Sequence, residues 1–145
     1  MMPGKLLTGN AAANSITGNA GNNVLDGKAG NDTLFGLGGN DTINGQGGTD
    51  TLTYANAAGA VTVSLAVATA QNTVGAGSDT ISNMENLTGS AYGDTLTGST
   101  AANTIDGGNG DDTIEGGAGN DTLTGGSGTD TVSYSSAGSA ITFNL

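Results

Sequence analysis

The sequence predicts an all-β fold built from short, repeated units of one strand and one turn. Glycine supplies 28 of the 145 residues and aromatic residues only 3%, so the large side chains that dominate most protein cores are nearly absent. The chain also divides into nine-residue units that start with glycine and carry an aliphatic residue at position 8. One aliphatic residue in nine is too few for an amphipathic helix, which needs about three or four in two turns.

The nine-residue units form two blocks of related sequence. The first block starts at Gly9 and reads GNAAANSIT, GNAGNNVLD, GKAGNDTLF, GLGGNDTIN and GQGGTDTLT. The second starts at Gly89, eighty residues later, and reads GSAYGDTLT, GSTAANTID, GGNGDDTIE, GGAGNDTLT and GGSGTDTVS. A related segment follows each block, YANAAGAVTVSL from Tyr54 and YSSAGSAITFNL from Tyr134. The sequence is therefore a tandem duplication of one module.

Each position of the unit predicts a structural role. Position 4 is usually Gly, position 6 is Asp or Asn, and position 7 is mostly Thr. A three-residue strand centred on position 8, joined by a six-residue Gly-Asn-Asp turn, fits the strand propensity of Thr, Ile and Val and the turn preference of Gly, Asn and Asp. The position-8 residues are the predicted core: Ile16, Leu25, Leu34, Ile43, Leu52, Leu96, Ile105, Ile114, Leu123 and Val132.

The repeats predict two modules, 1–65 and 75–145, with a connection over 66–74. A strand at 61–65 is expected to cover the end of the first module, because an exposed edge leaves backbone groups unpaired, and its duplicate is expected to cap the second module. Between the blocks, an irregular unit and a shortened unit over 83–88 restore the nine-residue phase before Gly89. This phase places Asp79 beside Asp94 and Glu85 beside Asn103, and it predicts that two aliphatic residues are buried: Ile81 and Leu87.

The composition excludes several classes of function. The chain carries 2 basic and 13 acidic residues, a formal charge of -11, which repels the phosphate backbone and makes a nucleic-acid partner unexpected. It contains no His and no Cys, so the usual Ser-His and Cys-His nucleophiles and the usual zinc sites cannot form. We therefore expect no enzyme activity. Asp111 beside Asp112 resembles an acid/base pair, but position 5 of a repeat turn normally faces solvent.

The apolar pattern predicts no membrane span and no ordinary N-terminal export signal. The longest apolar run, Leu65 to Ala68, is far shorter than the roughly 18 residues that a spanning helix requires. No continuous apolar stretch follows the start of the chain over Met1 to Asn10, unlike a secretory signal peptide. Either the protein stays in the cytosol or its export signal lies elsewhere.

Two units carry a family resemblance. GKAGNDTLF from Gly27 and GGAGNDTLT from Gly116 resemble the repeats-in-toxin (RTX) calcium-binding nonapeptide G-G-x-G-x-D-x-U-x. The resemblance implies a right-handed parallel β-roll in which two units complete one turn, so that residues eighteen apart stack at the spacing of neighbouring strands. It also implies several bound Ca²⁺ ions.

The resemblance assigns the calcium ligands to the turns. Stacked carboxylates repel one another unless a cation lies between them, and calcium takes six to eight oxygen atoms from carboxylates and backbone carbonyls. Glycine lets the carbonyls point inward without a clash of Cβ atoms. The side-chain ligands implied at position 6 are Asp32, Asp41, Asp50, Asp79, Asp94, Asp112, Asp121 and Asp130, with Asn23 and Asn103 as uncharged and weaker members. The turn glycines of the same sites are Gly27, Gly30, Gly36, Gly39, Gly45, Gly48, Gly107, Gly110, Gly116, Gly119, Gly125 and Gly128.

The stacking rule also predicts which acidic residues share an ion. Asp32 with Asp50, and Asp112 with its two neighbours at 94 and 130, are expected to form the strongest sites. Asp79 and Asp94 are expected to share a calcium ion across the join between the modules. We further expect calcium rather than magnesium to fold the chain, because magnesium requires shorter, near-octahedral coordination.

The function that the resemblance implies is a calcium-binding β-roll of an exported bacterial RTX-type protein. In that family the chain leaves through the type I secretion machinery and folds on calcium outside the cell, so the expected location is secreted, extracellular or cell-surface. The alternative is a carbohydrate- or surface-binding module with a cell-surface glycan as partner. Rows of Thr at position 7 also resemble ice-binding faces, but the irregular residues at position 9 argue against a flat surface.

Overall fold

All regular secondary structure in the described part of the chain is β-strand. The structure is a computed structural model, and it describes residues 3–137. Within that range no helix is long and apolar enough to cross a membrane. The strands are β1 (Leu6–Thr8), β2 (Ser15–Thr17), β3 (Val24–Asp26), β4 (Thr33–Phe35), β5 (Thr42–Asn44), β6 (Thr51–Thr53), β7 (Thr62–Ser64), β8 (Gln71–Asn72), β9 (Ser78–Ser82), β10 (Asn86–Thr88), β11 (Thr95–Thr97), β12 (Thr104–Asn109), β13 (Thr113–Glu115), β14 (Thr122–Ser127) and β15 (Thr131–Ser133).

The strands form three sheets in which almost all pairs are parallel. Their orders are β1-β3-β5-β9-β8, β14-β12-β10-β6-β4-β2 and β15-β13-β11-β7. Among the strands of residues 3–137, β8 alone runs antiparallel to its partner, β9. Within each block, successive strands alternate between two sheets, so one pair of units makes one turn of a solenoid. The predicted all-β parallel β-roll is confirmed.

The core is a set of apolar columns along the roll. Strands eighteen residues apart pair in register, as Leu34 does with Leu52 and Leu96 with Ile114. This register places each position-8 side chain above its equivalent, since a slip of one residue would turn it to solvent. Nine of the ten predicted core residues are buried, and Val132 is partly buried.

The sheets continue across the join between the blocks. Strand β9 pairs with β5 and sets Ile81 beside Ile43, and β10 pairs with β6 and sets Leu87 beside Leu52. Ile81 and Leu87 are buried, as predicted, and Asn86 pairs with Thr104, which places Glu85 beside Asn103. The irregular units thus cover the end of the first block, because their aliphatic residues are in phase with its core.

Strand β7 has a different position from the one that the sequence predicts. It pairs with β11 of the second block rather than with the end of the first. The predicted connection over 66–74 contributes β8, which pairs with β9, and a backbone bond from Thr62 to Thr73 joins it to β7. The division into modules 1–65 and 75–145 stays a prediction, although the sheets cross it. The predicted cap at 141–145 lies outside the described residues.

Candidate metal centre

The turns of the repeats stack along two edges of the roll. We call the turns that lead into the sheet of β2, β4, β6, β10, β12 and β14 edge I, and the turns that lead into the other two sheets edge II. The position-6 residues of edge I are Asn14, Asp32, Asp50, Glu85, Asn103 and Asp121. Those of edge II are Asn23, Asp41, Asp79, Asp94, Asp112 and Asp130.

A hydrogen bond from the backbone N–H links most position-6 residues to the carboxylate of the next turn. The Asp32 N–H donates to Asp50 Oδ1 at 2.8 Å, and the Asp94 N–H donates to Asp112 Oδ1 at 2.8 Å. The same bond joins four further pairs: Asn14 to Asp32, Asn23 to Asp41, Asn103 to Asp121 and Asp112 to Asp130. The eighteen-residue spacing therefore stacks the acidic residues, and one oxygen of each stacked carboxylate is satisfied by the backbone.

The second oxygen of four of these carboxylates has no partner. It is buried and accepts no hydrogen bond in the side chains of Asp32, Asp41, Asp50 and Asp112. Burying an unpaired carboxylate oxygen costs free energy, so in folded proteins a hydrogen-bond donor or a cation usually lies beside it. These four Oδ2 atoms are therefore the strongest indication that a cation binds at these turns.

The electrostatics of the edges indicate the same deficit of positive charge. Burial raises the pKa of the Asp41 carboxyl. Burial also raises the pKa of Asp50 and Asp112, and the nearby charges of other acidic residues add to the effect. Each carboxylate would thus be stabilised by a cation.

The glycine at position 1 leaves room beside each orphaned oxygen. A Cβ atom placed on Gly27 would lie 2.5 Å from Asp32 Oδ2 and 2.8 Å from the Gly45 carbonyl oxygen. One carboxylate oxygen and one backbone carbonyl oxygen thus converge beside the bare Cα of this glycine, and both are ligand types that calcium takes. The same convergence on the aspartate Oδ2 recurs at other position-1 glycines: Gly36, Gly45, Gly89, Gly107, Gly116 and Gly125.

The cradle is made of carboxylate and carbonyl oxygens together. Within residues 3–137 no group of three or more acidic, His or Cys side chains could hold a metal by itself. A cation at these edges must therefore take backbone carbonyls as well, and oxygen-only donors favour hard cations such as calcium over zinc.

Comparison with known protein families decides the identity of the repeat. The sequence pattern of the RTX calcium-binding nonapeptide repeat matches in four copies, at residues 6–34, 17–52, 88–123 and 107–136. These matches cover more than half of the chain. The chain belongs to this family. No curated protein matches it.

The RTX turns require left-handed backbone at two positions. At position 4 the φ angles of Gly30 and Gly48 are 112° and 134°, a region that glycine enters without strain. Position 2 is left-handed as well, and here Lys28, Leu37 and Gln46 have φ of 80°, 73° and 69°. Sequence reasoning missed this second requirement, although glycine occupies the equivalent positions of the second block: Gly108, Gly117 and Gly126.

The asparagine residues at position 6 of the RTX turns already form hydrogen bonds with other groups of the protein. Asn23 Nδ2 donates to Asp41 Oδ1 at 3.0 Å, and Asn103 Nδ2 donates to the Glu85 carbonyl at 2.9 Å. An amide nitrogen supplies its own hydrogen-bond donor, so these turns need no cation to satisfy them. Weaker calcium binding at Asn23 and Asn103 stays a prediction, and the amide contacts give it a physical reason.

The two acidic residues at the join are separated from one another. The Asp41 N–H donates to Asp79 Oδ1 at 2.9 Å, so Asp79 stacks on edge II of the first block. Asp94 is reached instead by the Val61 N–H at 2.8 Å. Because β8 and β7 lie between β9 and β11, the structure does not bring Asp79 and Asp94 together as the sequence predicted.

Asp79 and Asp94 also differ from the other RTX aspartates because protein donors reach both of their oxygens. Tyr54 Oη donates to Asp79 Oδ2 at 2.9 Å, and Thr73 Oγ1 donates to it at 3.3 Å. Ser90 donates to Asp94 through its hydroxyl at 2.7 Å and through its backbone N–H at 2.5 Å. Hydroxyl and amide donors therefore stand where the regular turns leave an oxygen unpaired.

Proposed function

We propose that this chain is a calcium-folded β-roll of an exported RTX-type protein. The observation that carries the proposal is the set of four buried Oδ2 atoms without partners, each in a turn of the calcium-binding repeat. Asp32, Asp41, Asp50 and Asp112 would hold the ions together with carbonyl oxygens of neighbouring turns, such as that of Gly45. Bound calcium would supply the positive charge that these carboxylates lack.

Calcium binding and folding are one process in this proposal. The formal charge is -11, and the roll stacks acidic residues along its two edges, where they repel one another. Folding without a cation would bury carboxylate oxygens that have no partner, whereas the unfolded chain leaves them in water. The free energy of ion binding thus contributes directly to the stability of the fold.

The same dependence supports the proposed export. RTX repeats are typical of exported proteins, and extracellular modules bind calcium with dissociation constants of about 10⁻⁴ to 10⁻³ M. The chain would remain unfolded in a cytosol poor in calcium, pass through the type I secretion machinery, and fold outside the cell. We further propose that this chain has no catalytic role, since its 145 residues contain no His and no Cys.

A calcium titration followed by far-UV circular dichroism tests the proposal. We expect the strand signal to appear with calcium and to be lost on chelation. Equal concentrations of magnesium serve as the control and should give little strand signal, because magnesium prefers shorter, near-octahedral coordination and retains its water. A strand signal that is already complete without divalent cations, or one that magnesium restores equally, would contradict the proposal.

Carbohydrate binding is a second candidate, and one surface pocket favours it. The pocket has a volume of about 560 Å³ and is lined by Asn44, Gln46 and Asn83 with Lys28 at its side. Asn83 Nδ2 donates to Asn44 Oδ1 and Gln46 Nε2 donates to Asp26 Oδ1, so the amide groups that remain on these side chains are the ones that would bond to sugar hydroxyls. A glycan array read with and without calcium tests this function, and it separates a glycan module from a calcium-folded spacer.

A further inference from the structure

The join between the two blocks contains a shortened turn on edge I. The regular turn between β5 and β6 has six residues, whereas only Asn83, Met84 and Glu85 separate β9 from β10. This turn lies in the stretch between 52 and 88 that the RTX repeat pattern does not match. Sequence comparison therefore assigns no ligand to it.

The shortened turn reproduces the contacts of a regular one. Glu85 Oε2 accepts the Asp50 N–H at 2.8 Å, as Asp50 Oδ1 accepts the Asp32 N–H at 2.8 Å. Glutamate is longer than aspartate by one methylene, so its carboxylate can reach the stacking position from a turn that has lost three residues. The backbone of Asn83 is left-handed with φ of 51°, as the second residue of the regular turns is.

A buried and unpartnered oxygen points into this turn. Asp50 is 0% exposed, and its Oδ2 accepts no hydrogen bond. A Cβ atom on Gly45 would meet both Asp50 Oδ2 and the Asn83 carbonyl oxygen. Asn83 thus supplies the carbonyl that Gly45 supplies to the cradle beside Gly27.

We propose that the join carries a divalent-cation site of its own, formed by the carboxylates of Asp50 and Glu85 with the carbonyl oxygen of Asn83. Its donors are all oxygens and two of them are charged, which suits calcium. The ion holds the shortened turn against the last regular turn of the first block. It thereby fastens β10 to β6, so that the two blocks fold as one roll.

The site rests on the proposed function, because it requires a chain that binds calcium at its regular turns. The test is an ion count by native mass spectrometry on the full chain, at the calcium concentration that just saturates the wild type. Glu85→Gln keeps an oxygen acceptor for the Asp50 N–H but removes the charge. Glu115→Gln is the matched control, because Glu115 lies in β13 and binds Ser135 and Ser136 at the surface.

We expect Glu85→Gln to hold one calcium ion fewer than the wild type and Glu115→Gln to hold the same number. An unchanged count in folded Glu85→Gln would overturn the junction site while leaving the calcium-folded roll intact. A wild type that binds no calcium would instead overturn the proposed function. If Glu85→Gln does not fold in calcium, Glu85→Asp decides, since it keeps the charge but shortens the side chain by one methylene and should also hold one ion fewer. An unchanged count in that variant would overturn the junction site.

Discussion

The glycine at position 1 gives the sharpest test of the cation cradle. Gly27→Ala would place a methyl group 2.5 Å from Asp32 Oδ2 and 2.8 Å from the Gly45 carbonyl oxygen, closer than the 3.0 Å that real Cβ contacts keep. The φ angle of Gly27 is not in the left-handed region, so this crowding is the whole effect. We expect the methyl group to push apart the two oxygens that would hold the ion.

The size of the effect follows from the cost of overpacking. Forcing an extra methyl group into a filled site costs about 1–3 kcal/mol. If this cost falls on the ion-bound state, calcium affinity at that turn decreases roughly 5- to 150-fold, since about 1.4 kcal/mol corresponds to a factor of ten. The rest of the roll should keep its strands, because the methyl group points at the turn and not at the core.

Gly38→Ala is the matched control in the next turn. A Cβ atom on Gly38 has its nearest neighbour, Ala20 Cα, at 4.0 Å, so the substitution meets no obstacle. It should leave calcium affinity unchanged and can stabilise the fold by about 0.4–1 kcal/mol through the unfolded chain. Isothermal titration with calcium compares the two variants. Equal affinities for Gly27→Ala and Gly38→Ala would refute the cradle.

Three further substitutions or conditions test other parts of the structure. Gln46→Gly copies Gly126 of the second block and relieves a left-handed backbone, so thermal unfolding in calcium should show a gain of about 1 kcal/mol. Tyr54→Phe removes a donor from buried Asp79 and should cost about 1–3 kcal/mol in denaturant unfolding in calcium; no loss would mean that Thr73 suffices. Burial raises the pKa of Asp41, Asp50 and Asp112 above the ordinary 3.8, so the folded chain holds their protons more tightly than the unfolded chain. Without calcium, strand content measured by circular dichroism should therefore rise as the pH falls through the raised values towards 3.8, and should decrease again as the pH rises; a signal independent of pH would contradict this.

The regular turns were predictable because their sequence repeats the physical requirement. An aliphatic residue every nine positions sets the strand centres, and the family spacing of eighteen sets the register that Leu34 and Leu52 show. The same spacing stacked the carboxylates of Asp32 and Asp50. In these turns each local preference agrees with the global fold, which makes sequence reasoning reliable.

The join was only partly predictable, because its partners are set by tertiary contacts. The phase of Ile81 and Leu87 correctly predicted that both are buried. The pairing of β7 with β11 could not be read from the repeat, since nothing in the segment after Tyr54 states which strand edge it joins. The hydroxyl of Tyr54 reaches Asp79 from 25 residues away, a contact that no local spacing encodes.

The carboxylates at the join have different partners on the two edges of the roll. On edge I the turn is shortened but still continuous, and Glu85 maintains the file of carboxylates above Asp50. On edge II the file is interrupted by β8 and β7, and Tyr54 satisfies the carboxylate of Asp79 that would otherwise be left unpaired. Where carboxylates continue to stack on one another, we expect a cation between them. Where the stack ends, a hydroxyl group can satisfy the last carboxylate by a hydrogen bond. With the proposed junction site, the join would depend on calcium along one edge and on hydrogen bonds within the protein along the other, and two duplicated blocks with interrupted phase would thereby share one continuous core.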